Sequence, residues 1–172
     1  MRQEHTPQNS RKMTFSNFRR SLEPAIRRIL HTYWRFARGM TLGVRAVVID
    51  PQGRVLLVKH SYVSGWHLPG GGVETGETVH AALARELLEE GGITALEAPV
   101  LHGVFFNGRV SRRDHVALFV IRAFRQEGGP RNPREIVDFG FFAPDALPPD
   151  TTRGTRARLN EVLKGVPISE RW

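Results

Sequence analysis

The chain has 172 residues, 40% of them hydrophobic, and a formal charge of +8 from 25 Lys+Arg against 17 Asp+Glu. That length suits one domain plus an appendage, and the apolar fraction is enough for a core and excludes a wholly disordered chain. No apolar run approaches the roughly 20 residues of a membrane-spanning helix, and the absence of cysteine excludes disulfide scaffolds, zinc–thiolate sites and thiol nucleophiles.

The charge is unevenly placed. Residues 1–45 carry ten basic side chains and two acidic ones, whereas residues 46–172 carry fifteen of each. Only Lys12, Lys59 and Lys164 are lysine, a bias that codon usage is enough to produce. Residues 1–20 are polar, lack the apolar stretch of a secretory signal and read as irregular chain. From about 22 to 38 the spacing predicts an amphipathic helix, because Ile26, Ile29, Leu30, Tyr33, Phe36 and Ala37 recur at three- and four-residue steps. Pro24 is tolerable in its first turn and Gly39 can end it. Residues 1–40 thus read as a basic extension and 41–172 as the folded domain.

Within that domain, 43–50 is an apolar strand, Pro51-Gln52-Gly53 a turn and 54–60 a second strand, so the pair predicts a hairpin. Residues 64–76 are dense in Gly and Pro and predict a loop. Helix follows over 78–90, ended by Gly91-Gly92. Further strands are expected near 100–107, 115–124 and 136–142, and a short helix near 155–164. One central helix, a late helix and this strand order predict an α+β domain, an α/β/α sandwich with a mixed sheet.

The informative segment is 71–93, GGVETGETVHAALARELLEEGGI. At about 100° per residue, Glu86 and Glu90 point the same way, Glu89 lies beside them, and Val79 and Leu83 share that direction. The carboxylates thus continue the apolar stripe, where a solvated charge run would lie opposite it. Three carboxylates so placed repel one another, more strongly when partly buried, and Arg85 is a single adjacent cation. An oxygen-seeking divalent ion, Mg²⁺ or Mn²⁺, answers that repulsion, and the glycines upstream let backbone groups approach the same ion or a phosphate. These residues predict metal-assisted chemistry on a phosphorylated substrate.

The segment resembles the Nudix box: Gly, five residues, Glu, seven residues, then Arg-Glu-aliphatic-x-Glu-Glu-x-Gly-aliphatic. Those positions are Gly71, Glu77, Arg85, Glu86, Leu87, Glu89, Glu90, Gly92 and Ile93, without departure, and Trp66-His67-Leu68-Pro69-Gly70 resembles the family's usual entry to the box. The resemblance implies a Nudix fold from about residue 41 to 164 and a pyrophosphohydrolase. Its substrate would be a nucleoside diphosphate linked to another moiety, with water attacking phosphorus. It further implies Glu86, Glu89 and Glu90 as metal ligands with the Gly71 carbonyl, Arg85 as the residue orienting the glutamates, and Glu77 as a brace between loop and helix. Glu86 or Glu90 could take the proton, and Glu135, following a later loop, is the candidate base outside the box.

Substrate contacts have weaker signals. Lys59 shares a strand face with Leu57 and Val55 and could bind phosphate, as could Arg45 on the neighbouring strand. Of Phe105 and Phe106, one must face away from the other, which offers a ring for base stacking; packing against the N-terminal helix is the competing use. Arg109, Arg112 and Arg113 form a basic loop that could clamp a phosphate. The substrate subclass stays open. So do three roles for the basic extension: packing on the domain, docking on anionic lipid, or holding RNA as a 5′-end pyrophosphohydrolase would. A non-catalytic nucleotide- or RNA-binding module is the opposing class, which a degenerate box would favour; this box is intact. A homodimer stays open, and the cytoplasm is the expected location.

Overall fold

A computed structural model describes residues 39–172 together with Leu30 and Tyr33. The chain divides into two units, Met1–Gly39 and Met40–Trp172. Leu30 and Tyr33 of the first are helical; the rest of the helix expected over 22–38, with its basic residues, lies outside the described residues.

The second unit runs β1 (Thr41–Val48), β2 (Val55–His60), β3 (Trp66–His67), α1 (Val79–Gly91), β4 (Ile93–Ala95), β5 (Val100–Phe106), β6 (Asp114–Ile121), β7 (Phe124–Gln126), β8 (Ile136–Phe142) and α2 (Arg153–Lys164). One sheet has the order β1-β6-β5, a second β3-β2-β8, and β4 pairs with β7. β1 runs parallel to β6 and β5 antiparallel to it, which is the mixed sheet expected.

Alternate side chains of the central strands feed two cores. Val44, Ala46 and Val48 of β1, Leu56 of β2 and Ala117, Phe119 and Ile121 of β6 pack with Ala82, Leu83 and Leu87 of α1. Val47, Val55, Leu57 and Leu118 point the other way and pack with Phe105, Trp66 and Leu159 of α2. A helix on each face explains why these strands read as nearly continuous apolar runs, and makes the expected α/β/α sandwich.

The expected β1–β2 hairpin is corrected. Its turn forms: the Asp50 carboxylate accepts from the Gln52 and Arg54 amides at 3.0 and 2.8 Å, and Ile49 bridges Val55. Beyond that bridge the strands enter different sheets, because the glycine-rich loop takes the edge of β1. Ala46 N donates to Pro69 O at 3.0 Å, Val44 N to Gly71 O at 2.8 Å, and Val73 N to Leu42 O at 2.8 Å. Gly70 permits this approach: its φ is +135°, and a Cβ there would overlap the Val44 carbonyl.

α1 starts at Thr78, whose hydroxyl accepts from Ala81 N at 3.1 Å, and ends at Gly92, left-handed at φ 64°. The final residues run along β5, where Phe106 N donates to Glu170 O and Trp172 N to Phe106 O, at 2.9 and 3.1 Å. Among the described residues no helix is long and apolar enough to cross a membrane.

Candidate active site

The inward face of α1 carries Glu86 and Glu90 alongside buried Leu83 and Leu87. Their side chains are 13% and 6% exposed, against 49% for Glu89, so the stripe read from helical periodicity is present. The glycine loop closes on these carboxylates. Gly70 N donates to Glu90 Oε2 at 2.6 Å, and the Glu86 carboxylate lies so close to Gly71 that a Cβ there would overlap it.

Arg85 binds loop and helix together. Its Nε and Nη2 donate to the two Glu77 oxygens at 3.0 and 3.1 Å, its Nη1 to Glu86 Oε1 at 2.8 Å, and its Nη2 to Gly72 O at 3.1 Å. Glu89 Oε2 stands 3.6 Å from Nη1. The paired bonds from Arg85, helped by the Glu74 amide, hold the Glu77 carboxyl below its usual range, and the same bonds raise the Arg85 guanidinium. Glu77 is therefore the brace expected of it.

Glu86, Glu89 and Glu90 open onto a cavity of about 410 Å³, whose far wall is Arg131, Asn132, Glu135 and Ile136. The Glu135 carboxylate accepts from Tyr62 Oη and from Asn132 Nδ2, each at 3.3 Å. Arg131 N donates to Glu89 O at 2.8 Å, which ties this loop to α1. Beside it the β2–β8 register slips, leaving Val137 without a partner opposite β2, a bulge of the kind that re-aims a strand end next to a site.

Burial pushes the Glu90 carboxyl up to about 7; Arg45 and the Gly70 amide oppose the rise, and repulsion from Glu86 and Glu135 adds to it. Glu86 is raised by burial against the pull of Arg85. Behind Glu90 lies buried His60, whose Nε2 is 3.6 Å from Glu90 Oε1. Neither ring nitrogen has a hydrogen-bond partner, and burial first, then Arg45 and His67, lowers the imidazole to about 4.

Residues 39–162 match the family model described as a NUDIX domain. The chain belongs to the Nudix family. It is 38% identical over 126 residues to a protein of Bacillus subtilis (strain 168) described as a putative 8-oxo-dGTP diphosphatase, covering 73% of this chain and 81% of the relative. It is 33% identical over 125 residues to a MutT-like protein of Streptomyces ambofaciens, covering 73% and 78%. The crystal structure of a MutT NUDIX hydrolase from Burkholderia pseudomallei superposes with a TM-score of 0.60 at 32% identity, over 71% of this chain and 97% of that one. With its box intact, the chain is a Nudix pyrophosphohydrolase, of a family that generally uses divalent metal ions.

The Nudix cluster fits such an ion by its donors: hard carboxylate oxygens, on buried Glu90, half-buried Glu86 and exposed Glu89. Among the described residues no three His, Cys, Asp or Glu side chains already stand in ligating positions around one point. Glu89 is the most exposed of the three glutamates. The Gly71 carbonyl already accepts from Val44 N and keeps one lone pair.

Of the candidates outside the Nudix box, Glu135 is in the cavity wall. Arg45 lies near enough to pull on Glu86 and Glu90 while donating to Leu68 O at 2.7 Å. The others are elsewhere. Lys59, on the α2 side of β2, pairs with Asp150 at 3.0 Å beside the Trp66 ring. Arg109 lines a separate cavity of about 460 Å³ with Arg153, Asn160 and Trp172. Phe105 is fully buried, with the Arg158 guanidinium 4.1 Å over its ring, so it has no face for a base. It packs with α2 and Trp172; the competing use, packing on the N-terminal helix, falls outside the described residues. Sequence reasoning missed Arg131, Asn132, Tyr62 and His60. The three-residue step from Asn132 to Glu135 was the one legible hint, since asparagine commonly closes such turns on its own backbone.

Proposed function

We propose that this Nudix enzyme hydrolyses the pyrophosphate linkage of a small nucleoside diphosphate derivative, with Mg²⁺ or Mn²⁺ as cofactor and water attacking phosphorus. The observation that carries the reading is the convergence of Glu86, Glu89, Glu90 and Glu135 on one cavity. A cavity so acidic receives a pyrophosphate only with cations between them. Glu86, Glu89 and Glu90 would hold a divalent ion, which when bound neutralises phosphate oxygens and acidifies a water molecule.

The chain's own groups supply the rest. Arg85 fixes Glu86 by charge-assisted hydrogen bonds. Glu135, held by Tyr62 and Asn132 across the cavity from α1, is placed to accept the proton of the attacking water, and Glu90 or Glu86 is the alternative base. Arg131 and Arg45 offer positive charge to the departing and retained phosphates. A nucleoside triphosphate, a nucleoside diphosphate joined to one more phosphate, is the substrate favoured among these. The name of the B. subtilis relative, an 8-oxo-dGTP diphosphatase, points the same way.

The test is product release from a panel of nucleoside triphosphates, oxidised purine nucleotides, nucleotide sugars and a 5′-triphosphorylated RNA, with Mg²⁺ or Mn²⁺. Turnover of at least one small nucleotide by the wild type, lost in Glu90→Gln, is expected. Equal turnover by the two proteins would overturn the glutamate assignment, and turnover of the RNA alone would overturn the substrate class. The RNA expectation rests on the basic extension, whose arginines before residue 39 all lie outside the described residues. Lipid docking and homodimerisation gain no support from the described residues.

A further inference from the structure

We infer that His60 is a positioning residue for Glu90, donating from Nε2 to the carboxylate oxygen that the glycine loop leaves free. The inference rests on Glu90 acting at the metal site proposed above. Three observations carry it. His60 is buried at the end of β2 with 4% exposure, yet neither ring nitrogen is hydrogen-bonded, which is costly for a polar group withdrawn from water. Its Nε2 faces Glu90 Oε1 at 3.6 Å, a few tenths of an ångström beyond hydrogen-bonding length. The other oxygen, Oε2, is occupied by the Gly70 amide.

The two donors would thus act on Glu90 from two sides. Gly70 fixes it to the loop, and His60 fixes its rotation about the last side-chain bond. That rotation decides which lone pairs face the cavity. The ring is itself held by Tyr62 and His67, with centroids 5.1 and 5.8 Å away, so it cannot turn freely to another partner. Groups that orient a metal-binding side chain from behind commonly change metal affinity or turnover about 10–100-fold when removed.

The test compares wild type with His60→Phe, which fills the space without a donor, and His60→Gln, which restores an amide donor. Mn²⁺ binding without nucleotide, followed by the electron paramagnetic resonance signal of free Mn²⁺, should weaken about tenfold or more in His60→Phe. In that variant kcat should fall while KM stays near wild type, and thermal melts in EDTA should still show a cooperative unfolding transition, so that the loss is not one of folding. His60→Gln should recover most of both losses. Should Phe prevent folding, His60→Leu carries the same comparison.

Wild-type Mn²⁺ affinity and kcat in the donor-less variant overturn the inference, as does a His60→Gln protein no better than His60→Phe. Glu90→Gln separates the two readings. If it loses metal and turnover while His60→Phe does not, only the role of His60 falls. If Glu90→Gln itself behaves as wild type, the site reading falls and takes this inference with it.

Discussion

Arg85 grips Glu77 through two near-parallel hydrogen bonds of 3.0 and 3.1 Å while a third, of 2.8 Å, runs to Glu86. One planar guanidinium therefore ties the loop-side carboxylate to the helix-side carboxylate next to it. A lysine ammonium carries the same charge without the fork. Arg85→Lys is expected to lower kcat about 10–100-fold, the range found when a residue that orients metal ligands is lost, with KM little changed and the fold intact by circular dichroism. Steady-state kinetics at saturating Mg²⁺ check it. A variant with undiminished kcat would show that charge alone is what Arg85 contributes.

Two adjacent glycines make a sharper pair of predictions. At Gly70 the φ of +135° is unsuited to other residues, and a Cβ would strike the backbone carbonyl of Val44. Strained backbone and a clash with rigid β1 have no inexpensive relief, so Gly70→Ala should destabilise by about 2–4 kcal/mol. Gly71 has no positive φ, and the nearest atoms a Cβ there would meet are those of the Glu86 carboxylate. That flexible side chain can move away. Gly71→Ala should therefore keep its stability within about 1 kcal/mol and lose activity, because Glu86 is displaced. Urea denaturation and turnover, measured on both variants, distinguish them. The reverse order of effects would mean that the loop does not approach β1 as described.

Helical periodicity was enough to place Glu86 and Glu90 on the buried stripe, because 100° per residue is a local property that packing did not override. Pairing between strands is not local. Two apolar runs and the turn at Pro51–Gly53 suggested β1 beside β2, and nothing short of Gly70's backbone conformation reveals that a loop takes that edge instead. Phe105 and Phe106 show the same limit. Parity along a strand says that they point oppositely, but with a helix on each face of the sheets it does not say which ring is enclosed. Lys59 read as an unattached cation because its partner, Asp150, is far along the chain. His60 read as an ordinary strand residue, since its proximity to Glu90 exists only once β2 and α1 share a core.

Glu90 pits function against stability. Its carboxyl is raised to about 7 chiefly by burial, so at pH 8 without metal the folded protein holds a poorly solvated negative charge. Glutamine keeps an oxygen for the Gly70 amide and removes that charge. In EDTA at pH 8, Glu90→Gln should melt above wild type, by an amount corresponding to about 1–3 kcal/mol. Its turnover should fall by about 100-fold or more, beyond the roughly 10–100-fold loss seen when a group that only orients a metal ligand is removed. Scanning calorimetry and the nucleotide assay check the two halves separately. A variant less stable than wild type in EDTA would mean that the Glu90 charge is better compensated than its surroundings indicate.

The paired titrations of Glu90 and His60 set the pH dependence of the metal-free protein. For Glu90 the folded value, about 7, exceeds the ordinary 4.5. The folded state thus binds more protons in that window, and stability is lost as pH rises from 4.5 through 7. For His60 the folded value, about 4, lies below the ordinary 6.5, so its contribution has the opposite sign and stability is gained from pH 4 to 6.5. Between about 4.5 and 6.5 the pair holds one proton whether folded or unfolded, on whichever atom it sits, and the two slopes cancel. Below that plateau only the His60 limb remains, joined by Glu77 and Asp50, whose lowered carboxyls also lose stability as acid protonates them. Above it the falling Glu90 limb remains, while Glu86, raised like Glu90, and His67, lowered like His60, add slopes of opposite sign. Melting temperatures in EDTA should therefore be flat from about pH 4.5 to 6.5 and decline toward pH 8. Saturating Mg²⁺ should abolish that decline, because an ion bound by the carboxylates favours their charged form. His60→Phe should turn the plateau into a fall that begins near 4.5, by removing the opposing limb. Metal-free stability that rises between pH 6.5 and 8 would contradict the burial of an ionisable Glu90 against an uncharged His60.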